Sequence, residues 1–137
     1  MPAVVSQSII LVDDDRALRD SLSFSLELEG YTVESFESAE DFAERGEVGP
    51  GACLVLDHRL PGISGLQLLL SLRDQLIDAP ALLITSNPTV ALRKRALALG
   101  AAIVEKPLLS DDLLNGIRSM FERVDTQVDL PNTLSAA

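Results

Sequence analysis

The stretch ACLVLDHRLPGISG, residues 52–65, decides the fold. Ala52 to Leu56 form an unbroken apolar run, as a strand buried on both faces requires. A carboxylate follows at once, Asp57, with His58 and Arg59 behind it. Pro61, Gly62 and Gly65 then turn the chain sharply. An interior strand that ends on an acid and bends into a helix belongs in an α/β sheet, where ligands sit at the carboxyl ends of strands.

The same design repeats along the chain. Ser8 to Val12 (SIILV) reads as a strand and runs into Asp13, Asp14 and Asp15. Leu18, Leu22 and Leu26 lie four apart, a helical stripe that Gly30 ends. Tyr31 to Phe36 alternates as a strand, and Ser38 caps a short helix through Arg45. Residues 46–51 form a loop, 52–56 the third strand and 65–76 a helix whose Leu68, Leu69, Leu72 and Leu76 share one arc. Ala81 to Thr85 is a fourth strand. Asn87-Pro88 predicts a cap and first helical position for a helix through Leu99. Ala101 to Val104 is a fifth strand. Ser110 caps a last helix with Leu113, Ile117, Met120, Phe121 and Val124 on one face. Strands alternating with helices predict a doubly wound five-stranded parallel sheet flanked by five helices. The expected limits are an extension over 1–7, one domain over 8–124 and a tail over 125–137.

Composition narrows the function. The chain has 137 residues, enough for one domain with a real core, and 47% of them are hydrophobic. No apolar run approaches the ~20 residues of a membrane span, and the start lacks a basic, then apolar, leader. One cysteine, Cys53, excludes an internal disulfide and fits a reducing, cytoplasmic setting. A net charge of −10 argues against direct nucleic-acid binding by this chain and allows a divalent cation or a basic partner.

The strand ends gather the chemistry. Asp13 and Asp14 end the first strand, Asp57 the third, Thr85 and Ser86 the fourth, and Glu105, Lys106 and Pro107 the fifth. Three carboxylates in one crevice either shift their pKa values upward or demand a cation. Hard oxygen donors suit Mg²⁺. An aspartate can attack phosphorus, while a lysine and a hydroxyl hold phosphoryl oxygens. Taken singly, these residues have plainer roles. Asp15 reads as a helix cap, Cys53 as a buried thiol, His58 as a solvated loop residue and Arg93-Lys94-Arg95 as the wet face of a helix.

The segments ILVDDD (10–15), VLDHRLPGISG (55–65), LLITS (82–86) and EKP (105–107) together resemble the receiver domain of two-component response regulators. SAEDF (38–42) is most similar to the FixJ-type subfamily. The resemblance implies a flavodoxin-like fold and a signalling role rather than an enzyme. It makes Asp57 the phosphoacceptor for a histidine kinase or histidine phosphotransfer protein. It makes Asp14 a direct Mg²⁺ ligand and Asp13 one acting through water, with the Arg59 backbone carbonyl completing the set. Thr85 becomes the switch hydroxyl, Lys106 the phosphoryl contact and Lys106-Pro107 a cis peptide. A homodimer through the face of the fourth and fifth helices is a further partnership it allows.

Two features depart from the family pattern. Ile103 stands where an aromatic residue usually precedes the lysine by three, and residues 100–107 are one residue short. Both predict that switching runs through the backbone of the fourth helix and its flanking loops. Leu70 falls outside the sheet-facing arc of its helix, which pairs it with Leu66 as a partner-binding spot or leaves it singly exposed. Two other functions fit parts of the pattern. One is a pseudo-receiver that binds partners without phosphate. The other is a Mg²⁺-dependent aspartyl-phosphate phosphatase, which would place an Asp-x-Asp after the first strand where this chain has adjacent acids.

Overall fold

A computed structural model describes residues 7–106 and 113–122. The order is β1 (Ser8–Val12), α1 (Arg16–Leu28), β2 (Thr32–Phe36), α2 (Ala39–Arg45), β3 (Ala52–Asp57), α3 (Gly65–Asp74), β4 (Ala81–Thr85), α4 (Val90–Ala98) and β5 (Ala101–Glu105), followed by a helix over 113–122, here α5. The expected cap Ser110, Val124, the Lys106-Pro107 bend and the two terminal segments lie outside the described residues, except Gln7 and Lys106.

The strands pair in parallel in the order β2-β1-β3-β4-β5, which is a doubly wound sheet. β3 is central, so every one of its residues is buried. Alternation along the strands divides the core in two. Ile10, Val12, Leu54, Leu56 and Leu83 pack with α2, α3 and α4. Ile9, Leu11, Cys53, Val55, Leu82 and Ile84 pack with Leu26 of α1 and with Leu113, Ile117 and Met120 of α5. Covering both faces is what allows β1, β3 and β4 to be almost continuously apolar.

Caps fix where helices start. Asp15 accepts from Leu18, Ser38 from Asp41, and Ser64 from Gln67, whose side chain returns a bond to the Ser64 N–H. The fourth helix departs from expectation. Its cap is Thr89, which accepts the Leu92 N–H at 3.0 Å, and not Asn87. Leu92 and Ala96 set the helix phase by packing on the sheet, and that phase brings the Thr89 hydroxyl to the first free N–H groups.

α3 also corrects the prediction. It ends at Asp74, and Leu76 turns into the left-handed region at φ 64°. The Ile77 N–H closes back on the Leu72 carbonyl, the Schellman closure that usually uses glycine at the left-handed position. Leu76 is therefore 91% exposed and leaves the sheet-facing arc. Leu66 is buried, so it forms no surface spot with Leu70, which is exposed alone. Arg73 donates to the Leu99 and Ile77 carbonyls, tying the C-terminal ends of α3 and α4 together.

Gly65 links the fold to the site. A Cβ there would strike the Asp57 backbone carbonyl and meet Leu83 Cδ1 at 3.0 Å. Only glycine lets α3 start this close to the end of β3. Gly65→Ala is expected to lose about 1–3 kcal/mol of stability in urea unfolding and to move the Asp57 amide resonance. Unchanged stability would show that α3 can back away from Asp57 freely.

Candidate functional site

The parallel register brings the predicted residues to one edge. β1 ends at Val12, so Asp13 emerges beside β3, and the Asp13 N–H reaches the Phe36 carbonyl at 3.0 Å. Asp57 is the last residue of β3, opposite Ile84. One carboxylate oxygen from each of Asp13, Asp14 and Asp57 lies within 4.8 Å of the others. Asp13 and Asp57 are buried and Asp14 is exposed, so the acids form a cup with one open side.

The cup is only partly satisfied. Asp13 Oδ1 accepts the Asp15 N–H at 2.9 Å, while Oδ2 is buried with no hydrogen-bond partner. Asp57 Oδ1 accepts the Arg59 N–H at 3.1 Å, and Oδ2 accepts Lys106 Nζ at 3.2 Å. Lys106 is positioned by its own N–H, which donates to the Thr85 carbonyl at 2.8 Å. Burial, reinforced by the Asp57 charge, pushes the Asp13 carboxyl up to about 6, against the Asp15 N–H that favours its ionised form. The unpartnered oxygen and the oxygen-only donor set fit a small hard cation such as Mg²⁺.

Thr85 is placed differently. It is buried at the end of β4 and lines a cavity of about 400 Å³ with His58, Ser86, Thr89 and Leu92. His58 is half-buried and its Nδ1 has no partner; burial holds its pKa below the ordinary imidazole value. It is therefore not the solvated loop residue its neighbours in sequence suggested. Ile103 packs against the core on the α4 side. Cys53 is a buried thiol, pushed up to about 12, with Sγ 3.2 Å from Met120 Sδ.

Sequence reasoning missed Arg19. Its Nη1 donates to the Asp13 carbonyl at 2.6 Å and braces the loop that presents the acids. An arginine one turn into a polar helix face carries no signal of that contact. A cavity of about 530 Å³ flanks the cup on the α2 side, where Asp14 meets Glu37, Glu40 and Gly62. A cavity of about 620 Å³ lies at the opposite end of the sheet, around Pro50, Ile77 and Phe121.

A parallel sheet with acids at the ends of β1 and β3 and a lysine after β5 is a receiver-type arrangement. The family model for the response regulator receiver domain matches residues 9–118, and the chain belongs to that family. Among curated relatives, the transcriptional regulatory protein FixJ of Bradyrhizobium diazoefficiens is 36% identical over 118 residues, 85% of this chain and 58% of FixJ. The response regulator MprA of Mycobacterium ulcerans is 35% identical over 126 residues, 91% of this chain and 54% of MprA. The chain thus spans little more than half of either relative. The solved structure of FixJ-N superposes with a TM-score of 0.76 at 33% identity, covering 87% of this chain and 96% of that one. The response regulator TrrA of Thermotoga maritima, solved in complex with Mg²⁺-BeF, gives 0.70 at 28% identity over 83% and 98%. The subfamily is FixJ-like, and the class works by phosphorylation-based two-component signalling.

The Asp13 shift has a definite sign. A carboxyl whose folded pKa is raised adds most stability while protonated, below the unfolded value near 3.8, and that stability is lost as pH rises through about 6. Asp13→Asn is therefore expected to stabilise the metal-free protein at pH 7 by about 1–3 kcal/mol and to flatten that pH dependence. Added Mg²⁺ should narrow the gap by stabilising the wild type more than the variant. Thermal unfolding across pH, with chelator and with Mg²⁺, measures both effects; a less stable variant in chelator would contradict them.

Proposed function

We propose that Asp57 is the phosphoacceptor of this receiver, taking a phosphoryl group from a histidine kinase or a histidine phosphotransfer protein. The observation that carries this reading is the buried Asp57 carboxylate, held between a backbone N–H and the Lys106 ammonium beside two further acids. Asp14 and Asp57, with the Arg59 carbonyl, would hold Mg²⁺, and Asp13 would act through water. When bound, the ion supplies positive charge that lets an anionic phosphoryl group approach the acids.

The remaining steps belong to the chain. An Asp57 oxygen attacks phosphorus as the phosphorus–nitrogen bond of the donor breaks, and the electron pair leaves with the imidazole, which takes up a proton. Lys106 turns from Asp57 Oδ2 to a phosphoryl oxygen, so its charge follows the charge that forms. The Thr85 hydroxyl moves to another phosphoryl oxygen, and that displacement is the signal. Water attacks phosphorus, the bond to the Asp57 oxygen breaks and inorganic phosphate leaves, which returns the Asp57 carboxylate in a self-catalysed reset and not turnover of an external substrate.

The receiver unit comprises 8–124, with 1–7 and 125–137 outside it. We place it in the cytoplasm; among the described residues no helix is long and apolar enough to cross a membrane. Its partner switching includes a homodimer through the face of α4 and α5, and its charge of −10 supports no direct nucleic-acid contact by this chain. The complete set of acids with Lys106 speaks against an interaction module that works without phosphate.

Incubation with acetyl phosphate and Mg²⁺, followed by intact mass and peptide mapping, tests the assignment. Wild type is expected to gain one phosphoryl mass on the peptide containing Asp57, Asp57→Asn none, and chelator-treated wild type none. Modification at another residue would overturn it.

A further inference from the structure

His58 is the only histidine of the chain, and the function proposed so far gives it no task. Its position is well defined. The His58 N–H donates to the Ile84 carbonyl at 2.8 Å, which extends the β3–β4 ladder one residue beyond Asp57. The pairing of Asp57 with Ile84 then sets His58 across from Thr85. Side chains alternate along a strand. Asp57 faces the acid cup, and His58 falls on the opposite face with Leu54 and Leu56, where α4 packs. His58 lines the same cavity of about 400 Å³ as Thr85, Ser86, Thr89 and Leu92.

Four features of this face belong together. The cavity has room for a side chain to move. The His58 Nδ1 is buried without a hydrogen-bond partner, which is costly in the resting state. On the same face, β5 offers Ile103 and no ring. Thr89 meanwhile caps α4 with its oxygen, accepting the Leu92 N–H, which leaves the hydroxyl proton free to donate.

We infer that His58 is the ring of the switch in this chain: when the Thr85 hydroxyl turns to the phosphoryl group, the His58 imidazole fills the space it leaves, and Nδ1 accepts a hydrogen bond from the Thr89 hydroxyl. His58 is a positioning residue. It touches neither phosphorus nor metal, and it converts movement of Thr85 into movement of the α4 N-terminus. The inference rests on the phosphoacceptor reading of Asp57.

A lone imidazole makes the test clean, because its ¹⁵N signals need no assignment among histidines. Spectra are recorded for wild type with Mg²⁺, before and after adding beryllofluoride as phosphoryl mimic. Phosphorylation of Asp57 by acetyl phosphate is scored by mass in parallel. The expected result is an Nδ1 signal that moves upfield on activation, as an acceptor gaining a hydrogen bond does, and that stays in place in Thr89→Ala. His58→Ala is expected to take the phosphoryl group at Asp57 as wild type does. Its α4 amide shifts should report an active population lowered about tenfold relative to inactive, the size of one net hydrogen bond. His58→Asn, which keeps an acceptor, should recover part of the response. A resting Nδ1 that carries a proton, or an α4 response in His58→Ala equal to wild type, overturns the inference. A wild type that gains no phosphoryl group at Asp57 overturns the phosphoacceptor reading and this inference with it.

Discussion

Repulsion among three carboxylates is the constraint on which the rest depends. Asp13, Asp14 and Asp57 bring oxygens within 4.8 Å of one another, two of the three residues being buried. Like charges about 4 Å apart repel by about 4 kcal/mol at an effective dielectric near 20. A chain that needed only stability would not assemble them. The sheet holds them together because the apolar strands behind them are fixed in register, Val12 against Leu56 and Leu56 against Leu83. Lys106, the Asp15 N–H and the Arg59 N–H offset part of the repulsion. Asp13 Oδ2 receives nothing, and that residual demand is what a cation would answer.

Much of this was legible in the sequence, for identifiable reasons. Strand runs such as ACLVLD and ALLIT are too short for helices and too apolar for a one-sided sheet, so they had to be central parallel strands. Once the strands were parallel, Asp13, Asp57, Thr85 and Lys106 had to emerge along one edge. The capping residues Asp15 and Ser38 also act as read, because their signals are local. The errors arose where tertiary packing overrides a local signal. Asn87-Pro88 offered a plausible helix start, yet the phase demanded by Leu92 and Ala96 gave the cap to Thr89. Leu76 continued the leucine period of α3 in one dimension, but the helix had already closed. Arg19 gave no signal and His58 was misread as solvated, since the contact of one and the burial of the other are set by tertiary packing.

The arrangement separates two tasks across β3. The acids and Lys106 lie together at one end of the sheet and hold charge. His58, Thr85 and the cap of α4 share the neighbouring cavity and have room to move. Thr85 stands between them, its carbonyl bonded to the Lys106 N–H and its side chain in the cavity. Thr85 thus touches both the Lys106 backbone and the cavity beside α4.

The most direct measurement of the central claim is a crystal structure of the chain grown with Mg²⁺. The account predicts one ion bonded to carboxylate oxygens of Asp14 and Asp57 and to the Arg59 carbonyl at about 2.1 Å, with a coordinated water supplying the missing partner of Asp13 Oδ2. An ion bound elsewhere, or a cup that stays empty at saturating Mg²⁺ with Asp13 Oδ2 still unpartnered, would contradict it.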